Sequence, residues 1–142
     1  SEDSLLALDY VSKHADPKTT ELKLLSVIEW DIPAPLLRYV PDPGSVHDYK
    51  DKLREKSVVH LQELAQKYFP DFNVSVDVQL SVKSAATEIT KFLEEHKPDI
   101  LVLASHGRGE VGTLLLGSVV QKIIRMAPCP VLVVPKPLPE SA

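Results

Sequence analysis

Ala104-Ser105-His106-Gly107, then nine residues, then Gly117-Ser118 is the grouping whose residue types and spacing could do chemistry. An apolar run, Ile100 to Leu103, leads into it, and a short amphipathic segment, Val119 to Ala127, leads out. A strand, a glycine-containing loop, Gly-Ser and a helix, in that order, can bring backbone N–H groups up to phosphate oxygens. Glycine lets the backbone approach closely, and the N–H groups and partial positive charge of a helix start favour an anion. The chemistry predicted is nucleotide binding through phosphate.

Three templates compete for these residues. Gly107-Arg108-Gly109-Glu110-Val111-Gly112 is a literal G-x-G-x-x-G. The dinucleotide fingerprint needs that string at the strand-to-helix turn and an acid at the end of the next strand. Here the next strand ends Val133-Val134-Pro135-Lys136, and the helix begins only at Ser118. Gly112 to Ser118 has Walker A spacing, but Ser118 stands where the lysine must reach the terminal phosphates. The third spacing, Ala104-x2-Gly107-x9-Gly117-Ser118, fits its surroundings best.

Plainer roles exist for the same residues. Ser118-Val119-Val120-Gln121 matches a capping box, with the serine accepting from the Gln121 N–H. That role is compatible with donating to a phosphate. Gly117 could serve the turn alone. His106 has no accompanying nucleophile and acid in sequence, so a general base is disfavoured. Arg108 reads equally as a cation beside phosphates or as an ordinary solvated arginine. His14, His47, His60 and His96 lack metal-ligand spacing and read as surface or helix-face residues. Cys129, the single cysteine, lies between Pro128 and Pro130 and reads as a small half-buried residue.

The elements that must position this loop alternate along the chain. Leu5, Leu8 and Val11 mark a helix over 3–14, and Leu22 to Ile28 has the density of a strand. Leu53, Leu61, Leu64, Ala65 and Tyr68 share one side of a helix over 46–68. Val74, Val76 and Val78 alternate with Ser75 and Asp77, the pattern of a half-buried or edge strand. Ala85, Ile89, Phe92, Leu93 and His96 keep helical spacing until Pro98. Ile100 to Leu103 and Val131 to Val134 are short apolar runs expected of buried parallel strands. The fold class is α/β, a parallel sheet flanked by helices with right-handed crossovers. A Pro-rich loop over about 30–45, with Leu36, Leu37, Tyr39 and Val40, could be a lid or could fold onto its own domain.

Composition bounds the rest. The 142 residues suit one domain over 1–142, and 16 Lys and Arg against 20 Asp and Glu argue against nucleic-acid binding. No apolar stretch approaches the ~20 residues of a membrane span. One cysteine suits a reducing, cytoplasmic setting. No metal site is expected.

The third spacing resembles the G-x2-G-x9-G-(S/T) signature of the universal stress protein family, with Ala104 at its first glycine. Pro98 to Leu103 before it, and Pro128-Cys129-Pro130-Val131-Leu132-Val133-Val134 after it, are similar to that family too. So are Ser1 to Tyr10, as a first helix, and Leu24-Leu25-Ser26-Val27-Ile28, as a second strand. The likeness spans essentially the whole chain and is loosest between Asp31 and Val82.

The resemblance implies a five-stranded parallel sheet of order 3-2-1-4-5 and a homodimer formed through the C-terminal strand. The first strand, with the aspartate that reads adenine, falls before Ser1. Residues outside this sequence, or another chain, are expected to supply it. ATP, with or without Mg2+, is the implied ligand. Gly107, Gly117, Ser118 and Val119 are implied at phosphate and ribose, Val27 by the adenine, and Ala104 at the loop entrance with Ser105 and Arg108 in the loop. Alanine is tolerated at 104 if its φ is negative and costs roughly 1–2 kcal/mol if φ must be positive. The implied function is an ATP-binding regulatory stress-response protein, with no membrane or nucleic-acid partner and an unidentified protein partner. At most slow ATP hydrolysis is expected. A nucleotide-free dimeric interaction module of the same fold is the alternative.

Overall fold

Apolar runs alternating with amphipathic stretches fold into four strands and four helices in the computed structural model, which describes residues 2–30, 35, 38, 39, 42–106 and 116–137. In chain order these are α1 (Glu2–His14), β1 (Glu21–Glu29), α2 (Pro43–Tyr68), β2 (Asn73–Ser81), α3 (Ala85–His96), β3 (Leu101–Ala104), α4 (Ser118–Met126) and β4 (Val131–Val134). They group into two compact units, Asp16–Glu88 and Ser1–Ala15 with Ile89–Ala142.

In the first unit β1 and β2 pair in parallel, from Glu21 opposite Asn73 to Glu29 opposite Ser81. Parallel neighbours need a long crossover, and α2 supplies it. The helix packs on both strands, burying Leu61 and Phe69, while Leu24 and Val78 are buried on the strands. Each such side chain contributes about 1.5–3 kcal/mol by leaving water. Trp30 closes the strand end: its N–H donates to the Ser81 carbonyl, and its ring meets Tyr49 and the Lys50 ammonium.

In the second unit β3 and β4 pair in parallel, Leu101 opposite Val131 through Ala104 opposite Val134, with α4 as the crossover. Helix α1 packs on both strands. Its far end is tied by Asp3 to Lys136, 3.7 Å apart. The parallel strands between helices are thus present as β1–β2 and β3–β4.

Helix ends explain most differences from the sequence pattern. Helix α2 begins at Pro43, three residues before the expected start, because Asp42 caps it and proline suits the first turn. The Asp42 carboxylate accepts the Ser45 N–H at 2.9 Å. The expected loop over 30–45 is therefore shorter; positions 31–34, 36, 37, 40 and 41 lie outside the described residues. The histidines that close α1 and α3 repeat one device. His14 stacks on Tyr10 and His96 on Phe92, each with Nδ1 against the carbonyl four residues back.

Lys97 adopts φ 47° after α3, its N–H reaching the Leu93 carbonyl at 2.9 Å. A left-handed residue with a side chain is strained, and glycine is the usual occupant. Lys97→Gly should raise stability by about 0.5–1 kcal/mol, the relief of strain exceeding the entropy glycine loses on folding. Chemical denaturation measures it, and an unchanged or lower midpoint would contradict the strain.

The Asp42 cap carries a pH dependence. Hydrogen bonds from the Ser45 backbone, then its side chain, hold the Asp42 carboxyl below its ordinary range. A carboxyl depressed in the folded state stabilises above its unfolded value, and the effect is lost as pH falls through the folded one. Acidification should therefore lower the protection factor of the Ser45 amide, taken against the intrinsic exchange rate at each pH, and Asp42→Asn, which keeps the acceptor, should flatten that response. Gly44→Ala tests the geometry, since a Cβ there would lie 2.8 Å from the Asp42 Oδ1. It should fray the first turn of α2 even at neutral pH.

Candidate functional site

The C-terminal end of β3 and the start of α4 meet at one hydrogen bond. Ser105 follows the last residue of β3, and its N–H donates to the Val134 carbonyl at 3.0 Å, extending the ladder. Its own carbonyl accepts the Gly117 N–H at 2.9 Å. The strand end and helix start are thereby clasped.

Helix α4 opens on Gly117, whose φ of −59° and ψ of 154° any residue can adopt. A turn therefore does not require glycine here. A glycine leaves the backbone open to close approach. Gln121 donates its N–H to the Gly117 carbonyl at 3.0 Å and its side-chain Nε2–H to the Leu116 carbonyl at 2.8 Å. This corrects the capping-box expectation: Gly117, not Ser118, is the cap, and Gln121 reaches past it. Ser118 stands exposed at the first helical position, Val119 is half-buried, and Val120 and Ile123 anchor the helix in the core. The first N–H groups of any helix have no partner within it, so this turn presents donors and the positive end of a dipole.

Ala104 is buried and pairs with Val134 in ordinary strand backbone. Lys97 alone among the described non-glycine residues has a positive φ, so alanine replaces glycine at 104 without strain. Ser105, Gly117, Ser118 and Val119 come together with Ala104 around the clasp. Val27 lies in the other unit, half-buried on β1 opposite Gln79. Gly107 and Arg108 lie outside the described residues.

Sequence reasoning weighed His106 only as a general base and disfavoured it. His106 directly follows the clasp, with Nδ1 2.9 Å from the Ser105 Oγ. The Ser105 side chain is buried, so this serine is not placed to attack a substrate. His106 Nε2 is buried without a partner among the described residues. A buried donor or acceptor left unmet costs about 1–3 kcal/mol. The adjacency of Ser105 and His106 was visible in the sequence, but the burial that gives it meaning was not.

Other locations offer less. A groove of about 560 Å³ between α2 and β2 is lined by Gln62, Ala65, Gln66, Val74, Ser75 and Val76, with no charged group. No cluster of metal-ligating side chains occurs among the described residues, and none of the helices searched there is long and apolar enough to cross a membrane.

Comparison with known proteins places this architecture. The sequence profile of the universal stress protein family matches residues 1–135. Universal stress protein MJ0531 of Methanocaldococcus jannaschii is 33% identical over 101 residues, 71% of this chain, and the match spans only 59% of that relative. Universal stress protein MJ0577 of the same organism is 31% identical over 143 residues, covering 94% of this chain and 88% of the relative. The solved structure of MJ0577 superposes with a TM-score of 0.79 at 27% identity, over 98% of this chain and 92% of that one. A universal stress protein solved in complex with cAMP shares the fold at 20% identity, with a TM-score of 0.57 over 96% of this chain and 90% of that one. A profile match over nearly the whole length, with relatives and structures agreeing, makes this chain a member of the universal stress protein family.

Proposed function

We propose that the clasped loop and the first turn of α4 hold the phosphates of an adenine nucleotide, with ATP as the ligand. The observation that carries this is Gly117: a side-chain-free helix cap in a conformation that does not need glycine, fixed to the strand end by the Ser105 carbonyl. Ser118 and Val119 follow it on the first turn, where backbone donors and a side-chain hydroxyl can meet phosphate oxygens. Gly107 and Arg108 belong to the same loop by sequence. Val27 is assigned to the adenine by family resemblance. The protein of this fold solved with cAMP is a further instance of an adenine nucleotide held by it.

The protein acts as a regulator in the stress response, binding nucleotide rather than turning it over, with hydrolysis slow at most. It works as a cytoplasmic homodimer joined through β4, whose four residues remain half-exposed beyond their pairing with β3. Sedimentation should then give twice the 15.7 kDa chain mass.

Heat-denatured protein should release stoichiometric ATP, identified by mass spectrometry. If the site is empty as purified, ATP at 100 times its dissociation constant should add about 2.7 kcal/mol, roughly 5–10 °C in melting temperature. Gly117→Ala has an accessible backbone conformation, so it should fold, and it should lose most of that rise. A wild-type protein that neither releases ATP nor melts higher with it would favour the nucleotide-free interaction module.

A further inference from the structure

Strand β2 leaves one edge without a strand partner in the first unit. The Trp30 N–H donates to the Ser81 carbonyl, and β1 and β2 keep one register from Glu21 opposite Asn73 to Glu29 opposite Ser81. In an extended strand the N–H and C=O of one residue point to the same side, and successive residues alternate sides. Positions 73, 75, 77, 79 and 81 therefore turn their backbone groups to β1, while Val74, Val76, Val78 and Leu80 turn theirs away. No described strand pairs with that second edge. Natural edges are blunted by short length, proline, lysine or a bulge. Strand β2 runs for nine residues with none of these, and its one charged side chain, Asp77, is engaged by the Gln79 amide at 2.9 Å.

The groove of about 560 Å³ lies against the same strand. Gln62 and Gln66 stand one turn apart and exposed on α2, with Ala65 leaving room beside them, and Val74 and Val76 are half-buried on β2. The two amides and the Ser75 hydroxyl both donate and accept. A charged side chain entering the groove would lose water and find no counter-charge among the lining residues. We propose that the β2 edge and this groove form a strand-addition site for an extended, uncharged segment of a partner protein. Main-chain hydrogen bonds to the outward groups of Val74 and Val76 supply affinity. Alternate side chains of the incoming segment, apolar or hydroxylated, enter the groove and supply selectivity. The site lies within the first unit and works with or without a bound nucleotide.

The probe is an end-blocked, fluorescein-labelled octapeptide of alternating valine and threonine, added to the full chain. Fluorescence anisotropy should show saturable binding, and hydrogen exchange should slow at the Val74 and Val76 amides. Val76→Pro deletes an outward N–H and spares the ladder to β1, so the protein should fold and bind the probe about tenfold more weakly. Gln66→Glu leaves every ladder bond in place and should weaken the probe with aspartate at its valine positions further, by like charge. It serves as the second variant if Val76→Pro lowers the melting temperature. The aspartate probe should bind wild type at least tenfold more weakly than the valine probe. The proposal is overturned if the valine probe does not bind wild type, if Val76→Pro folds and binds it unchanged, or if the aspartate probe binds as well. It is also overturned if Val76→Pro alone changes the sedimentation coefficient of the unliganded protein, which would assign this edge to a second copy of the chain.

Discussion

The hydrogen bond from Gly117 N–H to the Ser105 carbonyl is the constraint on which the site depends. With it, the last rung of the β3–β4 ladder and the first residue of α4 are one rigid corner. The corner is well supported, because the Ser105 N–H is also spent, on Val134. A backbone fixed at both its donor and its acceptor has little freedom to drift, and anion binding by backbone groups requires that stillness.

The rest of the second unit holds that corner in place. Ile123 and Val120 bury one side of α4, and α1 lies against both β3 and β4. The Asp3–Lys136 pair is exposed at its lysine and adds little by itself. Its interest is location, since Lys136 also turns its backbone N–H onto the Ser105 Oγ. The core thus supplies the energy, while a few polar contacts choose which way Ser105 and His106 face. In the first unit the same division holds: Leu61, Phe69, Leu24 and Val78 supply burial, and Asp42, Glu29 and Trp30 settle the ends. Glu29 illustrates it, accepting the Ala85 N–H at 2.7 Å and so capping α3 from the end of a strand 56 residues away.

Legibility in the sequence followed the range of the interactions. All four strands and four helices were visible, because period-two and helical spacing are local and the breakers Pro98 and Pro128 are unambiguous. The start of α2 was misplaced because proline at 43 reads first as a breaker, and only the Asp42 cap makes it a beginning. The glycine-loop ends were legible from spacing, and the family followed from them. What could not be read was which hydrogen bond closes the loop, that Gln121 reaches Leu116 instead of completing a capping box, and that Lys97 is left-handed. Each depends on a dihedral angle or a contact across elements that residue types leave open.

The two ends of the spacing also show why one glycine can be lost and another cannot on the same terms. Position 104 is a strand residue, with its backbone engaged by β4 and its side chain in the core. A methyl group there is packing material, and negative φ makes it free of strain. Position 117 has equally permissive angles and is buried too, but it caps a helix start instead of lying in a strand. If the proposed nucleotide binds there, a methyl group at 117 would crowd its phosphate. Conformational freedom is therefore not what distinguishes the two glycine positions of the signature. Under the proposed nucleotide reading the difference is the ligand, which needs close approach to the backbone at 117 and not at 104. On that argument Ala104 is compatible with a working site, and the nucleotide reading does not require the missing glycine.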